Sequence, residues 1–250
     1  MSRLDQALFE RGLCGSREKA KRAIMAGQVQ INRQTAHKPS QPVKSTDRLA
    51  LLAGDQYVSR GGTKLEHALT QFQIDVSGLT AIDVGAATGG FTDCLLQKGA
   101  ARVYAVDVGR GQLAWKLRQD PRVIVMEKTN ARELTAGRFP LPFSPVDLAA
   151  IDCSFISLRK ILSPAVALLR TSGNIVALIK PQFEAGKAEA DRGKGVITDP
   201  AIHTRVLGEL EQFVSQQPQM LWREVTESPL LGPAGNKEFF VLIEKTDKYA

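Results

Sequence analysis

The spacing of apolar positions changes character about a quarter of the way along the chain. In the first stretch Leu4, Ala7 and Leu8 recur at helical spacing, and Gly12 and Gly15 end that helix. Ser16 reads as an N-cap with Glu18 in the first turn, which predicts a second helix over Arg17–Ala26 with Ala20, Ala23 and Ile24 facing a core. Gly27 stops it. Val29 and Ile31 then alternate with Gln28 and Gln30 up to a turn at Asn32, and Arg48–Leu52 reads as another short strand. From Leu79 onward the pattern becomes apolar runs separated by helical stretches: TAIDVG, RVYAVDVG, RVIVMEK, DLAAIDCS and NIVALIKP. Such nearly continuous Val/Ile/Ala runs suit strands buried on both faces. WREVTESPL and EFFVLIEK, separated by Gly232-Pro233-Ala234-Gly235-Asn236, read as a closing antiparallel pair. The expected architecture is therefore a doubly wound α/β, Rossmann-like sheet of about seven strands over residues 61–250, preceded by a small α+β domain over residues 1–60.

Composition narrows the picture. With 43% hydrophobic and 24% charged residues the chain is ordinary for a globular protein. No run approaches the roughly 18 uninterrupted apolar residues of a membrane span, and the start MSRLDQALFERG has no apolar signal core. Cys14, Cys94 and Cys153 lack CxxC or CxxH spacing, so neither a disulfide framework nor a metal site is expected. A reducing, cytoplasmic setting without a membrane partner is the expectation.

Charge is unevenly spread. The chain holds 33 Lys+Arg against 26 Asp+Glu, a net of +7; residues 1–60 hold 11 and 5 of these, and residues 61–250 hold 22 and 21. A basic module ahead of a neutral body suggests an arm for a polyanion. Arg3, Arg17, Lys19, Lys21 and Arg22 are the candidate phosphate contacts.

In the body, ligands are expected at the carboxyl ends of the strands. The first strand ends in Asp83-Val84-Gly85-Ala86-Ala87-Thr88-Gly89-Gly90-Phe91-Thr92, a glycine turn with a helix N-terminus behind it. A dinucleotide fingerprint starting at Gly85 would need glycine at 87 and 90; Ala87 breaks it and Gly90 fits. Asp107, followed by Val108, ends the second strand, where a carboxylate can accept both hydroxyls of a ribose. Asn130, followed by Ala131, lies past the third, within reach of an adenine edge. The fourth strand ends at Asp152 and the fifth at Lys180, an ammonium that needs a partner in such a crevice. Lys64, on a helix expected to start after the flexible pair Gly61-Gly62, and Glu238, at the start of the last strand, border the same region. His37, His67 and His203 are scattered and suggest no site.

Three resemblances follow from these residues. The run from Arg3-Leu4-Asp5 through Ser16-Arg17, Ala20, Ile24, Gly27, Val29 and Asn32 resembles the RNA-binding module of ribosomal protein S-four. Lys64, Asp152, Lys180 and Glu238 match, in order and type, the Lys-Asp-Lys-Glu tetrad of FtsJ-type ribose 2'-O-methyltransferases. The family's cofactor loop D-x-G-A-A-P-G-G is similar to Asp83–Gly90, with Thr88 in place of proline, Phe91 where Trp is frequent and Asn130 where one member has Asp. The phrases YVSRGGTKL, DVGAATGGFTDCLL, DCSFISL, LIKPQFE and GNKEFF resemble the TlyA family of ribosomal RNA methyltransferases, whose members have also carried the name hemolysin.

The resemblance implies S-adenosylmethionine as cofactor, held by Asp83, Gly85, Ala86, Ala87, Thr88, Gly89, Gly90, Phe91, Thr92, Asp107, Val108, Asn130, Ala131 and Asp152. It implies a cytidine 2'-hydroxyl of ribosomal RNA, free or in ribosomal subunits, as target. The short ends beyond Ser2 and Glu244 favour the large subunit alone. Lys180 would contact the 2'-oxygen as base or as the charge favouring the alkoxide, Lys64 would be its cationic neighbour, and no metal is required. Residues 184–199 read as a loop that orders over RNA, or as a solvated insertion. The linker around Gly54–Gly62 would let the basic module dock first. A methyltransferase for protein or small molecules would leave the basic module unexplained; a non-catalytic assembly factor would leave the tetrad idle; a hemolysin would need membrane-active segments, which the sequence lacks.

Overall fold

In a computed structural model, residues 2–25, 27–51, 56–186, 189, 193 and 195–247 are described. The expected ends of elements at Ala26 and Leu52, the linker residues Gly54 and Asp55, and much of the 184–199 segment lie outside them. The chain divides into two compact units, Met1–Gln56 and Tyr57–Ala250.

In the first unit, strand β1 (Ser2–Arg3) leads into helix α1 (Leu4–Glu10), and α2 covers Arg17–Met25. The Ser16 hydroxyl accepts the Lys19 amide at 3.2 Å, satisfying one of the donors a helix start leaves open. Gly27 ends α2 at φ +72°, a left-handed position that a side chain would strain. Strands β2 (Val29–Ile31), β3 (Gln34–Thr35), β4 (Pro42–Val43) and β5 (Leu49–Leu51) follow. They form a three-stranded sheet in the order β3-β2-β5 and a separate β1-β4 pair. The sequence pattern exposed neither β3 nor the β1-β4 pair, because two-residue strands carry no periodicity. Leu4, Leu8, Ala20, Ile24, Val29 and Val43 are buried together as the core.

The second unit contains α3 (Arg60–Gln71), β6 (Thr80–Val84), α4 (Gly90–Gln97), β7 (Arg102–Val106), α5 (Trp115–Arg118), β8 (Val123–Met126), β9 (Val146–Ile151), α6 (Leu162–Leu168), β10 (Leu169–Ile179), α7 (Pro181–Glu184), α8 (Pro200–Ser215), β11 (Met220–Glu227) and β12 (Phe239–Lys245). The sheet has seven strands in the order β11-β12-β10-β9-β6-β7-β8. Pairing is parallel from β10 to β8, and β12 joins antiparallel to both β10 and β11. This is the seven-stranded α/β sheet the apolar runs predict.

Alternate residues of each strand enter two cores, one on each face. Ile82, Val84, Ile151, Ile179 and Ile243 pack with α6 and α8. Ala81, Ala105, Val176, Leu178 and Phe240 pack with Leu65 of α3 and Leu95 of α4. Each fully buried large apolar side chain contributes about 1.5–3 kcal/mol of transfer free energy, so the sheet is held from both sides and its strand ends are rigid platforms. No described helix is long and apolar enough to cross a membrane.

Asp5 is fully buried and accepts from Arg3 at 3.0 and 3.2 Å and from Arg17 at 3.1 Å. The hydrogen bonds from Arg3, with the Arg17 contact, hold its carboxyl down at about 2. A depressed native pKa contributes stability above the unfolded carboxyl's value of about 4 and loses it as pH falls towards 2. Asp5→Asn is expected to remove about 1–3 kcal/mol from the first unit at neutral pH and to flatten its acid unfolding below pH 4, both read by hydrogen exchange of α1 and α2.

Candidate active site

The chain reverses its direction of travel across the sheet between β6 and β9. From β6 it moves outward through β7 to β8, then returns to β9 and continues to β10 on the other side. Such a switch point opens a crevice at the strands' carboxyl ends. The loop after β6 enters it. Gly85 has φ +89°, and a Cβ there would lie 2.5 Å from the Asp152 carbonyl oxygen. Gly89, at φ +96°, caps α4. A Cβ on Gly90 would collide with the Ser59 hydroxyl and the backbone of Gly61 and Gly62. Ala87, the residue that breaks the dinucleotide fingerprint, takes φ +47° all the same. Its amide donates to Asp107 Oδ2 at 2.7 Å, and Asp107 Oδ1 accepts from the Gly109 amide at 2.6 Å. Asp107 thus fastens the glycine loop to the end of β7.

Two adjoining cavities open along this loop, sharing Gly85, Ala87, Asp152 and Ser154. The larger, about 1150 Å³, is lined by Asp107, Val108, Asn130, Ala131, Phe155 and Phe183, among others. Asn130 accepts from the Arg132 amide at 3.1 Å and donates to Glu133 at 3.2 Å, so its side chain is held at the rim. Phe155 is 91% exposed and sits at φ +64°. Its ring centroid lies 5.0 Å from that of Phe183. An exposed aromatic on strained backbone is a feature that folding alone does not favour.

The smaller cavity, about 310 Å³, gathers Lys64, Asp152, Lys180 and Glu238 from four separate elements. Lys64 Nζ donates to Glu238 Oε2 at 2.5 Å, with both side chains buried. Lys180 Nζ lies 2.6 Å from Asp152 Oδ1, an ion pair whose angle falls short of a hydrogen bond, and donates to the Ser154 hydroxyl at 2.8 Å. Lys64 is therefore paired with Glu238 and Lys180 with Asp152. Asp83 lines this cavity too. It is fully buried; its Oδ2 accepts from the Thr92 amide at 2.8 Å and hydroxyl at 2.6 Å, while Oδ1 has no partner. Burial pushes its carboxyl up to about 7 against the pull of those two bonds.

Ala86, Thr88, Gly90 and Phe91 of the expected set line the smaller cavity, whereas Thr92 lines neither and instead supports Asp83. In the first unit Arg3 and Arg17 are tied to Asp5, and Lys21 pairs with Glu18 at 2.7 Å. Lys19 and Arg22 have no ion-pair partner among the described residues. The glycine pair Gly61-Gly62 does not precede α3 but lies inside its first turn, where the Tyr57 ring occupies the space a Cβ on Gly62 would need.

Sequence reading missed several supports. Asn236, almost fully buried, accepts from the Ile197 amide at 2.8 Å and donates to the Gly195 carbonyl at 2.8 Å. His203, judged featureless by its position in the chain, is buried, and Nε2 lies 2.9 Å from the Ile197 carbonyl. Glu184 accepts from the Ser157 hydroxyl and the Leu158 amide, both at 2.7 Å. The segment read as a loop that orders over RNA, or as a solvated insertion, is thus tied at both of its ends. Gly232 lies against Glu238, where a Cβ would stand 2.5 Å from Oε1. For Asn236 the only signal lay in the Gly232–Asn236 turn, since partners 39 and 41 residues away leave no local pattern.

A raised carboxyl pKa destabilises the fold once the group ionises: between about pH 4 and 7 native Asp83 keeps a proton that the unfolded chain releases. Its contribution therefore falls as pH rises through that window. Asp83→Asn keeps an acceptor for Thr92 and is expected to abolish that slope, seen as a smaller drop in the urea midpoint between pH 5 and 8 than in the parent. Asn236→Ala leaves a buried amide and carbonyl unsatisfied and is expected to cost about 2–4 kcal/mol, measured by urea unfolding at constant m-value.

The FtsJ-like methyltransferase model matches residues 57–245, and the S4 domain model matches residues 2–49. YqxC of Bacillus subtilis, provisionally named an rRNA methyltransferase, is 48% identical over 96% of this chain and 84% of its own length. The 16S/23S rRNA (cytidine-2'-O)-methyltransferase TlyA of Mycobacterium tuberculosis is 45% identical over 99% of this chain and 91% of its own. A solved structure from Streptococcus thermophilus, provisionally named a hemolysin, superposes with a TM-score of 0.75 at 43% identity, covering 98% of this chain and 89% of the other. With matches of this extent to both halves, the chain belongs to the FtsJ-like methyltransferase family and carries an S4 domain at its N-terminus.

Proposed function

We propose that the protein transfers a methyl group from S-adenosylmethionine to the 2'-hydroxyl of a cytidine in ribosomal RNA, acting in the cytoplasm on ribosomal subunits or their RNA. The observation that carries this reading is the pairing of two buried ammonium groups with two carboxylates in one small cavity that opens onto a larger cleft. The relative from M. tuberculosis is named for both ribosomal RNAs; the large-subunit RNA is the substrate to test first.

The residues present fit the cofactor. Asp107 at the end of β7 suits ribose hydroxyls and Asn130 an adenine edge. Gly85, Ala86, Ala87, Thr88, Gly89 and Gly90 let the backbone approach, with Val108, Ala131 and Phe91 as apolar walls. The partnerless Oδ1 of Asp83 suits the ammonium of the amino-acid end. When bound, S-adenosylmethionine supplies a methyl carbon on a sulfonium and leaves as a neutral thioether.

A ribose hydroxyl ionises far above neutral pH, so transfer needs alignment and stabilisation of negative charge on oxygen. Lys180, oriented by Asp152 and Ser154, contacts the 2'-oxygen and favours the alkoxide as the oxygen–methyl bond forms and the hydroxyl proton passes to water. Lys64, fixed by Glu238, holds a second positive charge in the same cavity. Phe155, backed by Phe183, offers a ring face on which an unstacked base can lie. The S4 domain, through Arg3, Arg17, Lys19, Lys21 and Arg22, grips structured RNA by its phosphates and brings the body to its target.

Incubating the protein with labelled S-adenosylmethionine and unmethylated subunits or naked ribosomal RNA, followed by alkaline hydrolysis, tests the reading directly. A methylated 2'-oxygen cannot attack the neighbouring phosphate, so label is expected in alkali-resistant dinucleotides of the large-subunit RNA. Lys180→Ala and Asp152→Ala are expected to lower the rate by about 10²–10⁴-fold with cofactor affinity of the lysine variant kept. Label in mononucleotides would move the chemistry to a base, and absence of label in any RNA would overturn the reading.

A further inference from the structure

Most cations of the second unit have an acidic partner. Arg118 pairs with Glu127, Arg122 with Asp120, Arg159 with Glu209, Arg170 with Asp147 and Arg223 with Glu244. Among the described residues of this unit, Arg60, Arg102, Arg110, Lys128, Arg132 and Lys160 have neither an ion pair nor a side-chain hydrogen bond, and all six are exposed. Their placement is not random. Arg102 opens β7 at the amino end of the sheet. The other five stand at the opposite end, where the cavities open: Arg60 begins α3, Arg110 follows β7, Lys128 and Arg132 follow β8, and Lys160 follows β9.

The acids at that rim form no ion pair with them, although Arg110 lies near enough to Glu127 to favour its charged form. Glu127 is taken by Arg118 and Glu133 by Arg138; Asp152 and Glu238 are paired inside the smaller cavity; Glu184 is spent on Ser157 and Leu158. Arg60 lines the smaller cavity on the Lys64 side, and Arg132 and Lys160 line the larger one beside Phe155. Unpartnered cations lining both adjoining cavities, with an exposed aromatic pair in the larger, form an arrangement that can hold a single strand by its phosphates while a base rests on a ring.

We propose that this rim is a second phosphate-binding surface, in which Arg60 on one side of the tetrad and Lys160 with Arg132 on the other hold the phosphodiesters flanking the nucleotide placed in the cavity. The inference rests on RNA being the substrate, and it assigns to the body a share of the binding that would otherwise fall to the N-terminal domain alone. Two anchored phosphates would also fix the ribose between them against Lys180, so the rim would set alignment as well as affinity.

The test is the salt dependence of RNA binding by the full-length protein. Binding of a fluorescent single-stranded ribosomal RNA fragment containing cytidines is titrated from low to physiological salt for the parent, for Arg60→Gln with Lys160→Gln, and for Arg102→Gln. Each lost phosphate contact on a single strand lowers the slope of log K against log salt by about 0.7. The double variant is therefore expected to lose about 1.4 from the slope and to bind several-fold more weakly at low salt, while Arg102→Gln keeps the parent slope. A double variant with the parent slope, or Arg102→Gln with the same loss, overturns the proposal. Methyl transfer by the parent is scored separately: a slope loss in the double variant without any transfer to RNA would retire the methyltransferase substrate and keep the rim, and transfer with an unchanged slope would do the reverse.

Discussion

The constraint on which the site depends is the contact between two backbones at the reversal of the sheet. β6 and β9 are hydrogen-bonded neighbours, with Val84 opposite Ile151, and the chain leaving each one must turn in opposite directions within a single residue. Gly85 makes that turn directly against the carbonyl of Asp152. Any side chain there would force the two strand ends apart. The glycine loop and the carboxylate that holds Lys180 would then separate together, because both begin at that contact. Asp107 extends the constraint to β7 by accepting the Ala87 amide, so three strand ends and one loop are tied together.

On that base the fold can hold charges it would otherwise reject. An ammonium removed from water without a partner is expensive, and a buried pair survives only where geometry and further hydrogen bonds compensate for desolvation. Lys64 reaches Glu238 across 174 residues of chain, which requires α3 and β12 to be fixed independently of each other. α3 is fixed by Tyr57 packed on Gly62, and the approach to β12 by Gly232 and Asn236. The second ammonium, Lys180, needs less help, since Asp152 stands on the neighbouring parallel strand. Remote supports are concentrated on the pair that topology alone does not bring together.

That difference also explains what could be read from the chain. The seven-stranded sheet was legible because Val/Ile/Ala runs of buried strands carry a strong local signal, and the antiparallel ending because the Gly232–Asn236 turn sits between two such runs. The glycine loop was legible by composition, although Ala87 adopts a backbone angle that the fingerprint reserves for glycine. The tetrad was found through a resemblance rather than a period, as residues from four elements share no spacing. The pairing of Lys180 with Asp152 was legible from their neighbouring strand ends, whereas that of Lys64 with Glu238 was not. Nor were Asn236, His203 and Glu184, whose partners are backbone groups and one hydroxyl that follow no sequence period; nor was the start of α3, where a glycine pair that reads as a flexible hinge is a packing surface for an aromatic ring.

The remaining asymmetry concerns charge balance. Inside the smaller cavity two ammonium groups face three carboxylates, with the exposed Arg60 guanidinium unpaired in its lining, and the two pairs leave Asp83 over. Deep burial, with Asp152 and Asp107 as negative neighbours, disfavours a third anion, so Asp83 keeps its proton up to about pH 7 even though Thr92 makes two bonds to it. A fold selected only for stability would place a neutral residue there. A buried carboxyl with one oxygen unpartnered, poised close to neutrality, is instead suited to a cationic ligand: an ammonium at Oδ1 would favour the ionised form and complete the three pairs. On the proposed reading the cofactor brings that cation, so the charge of the site is balanced by what it binds rather than by the fold alone.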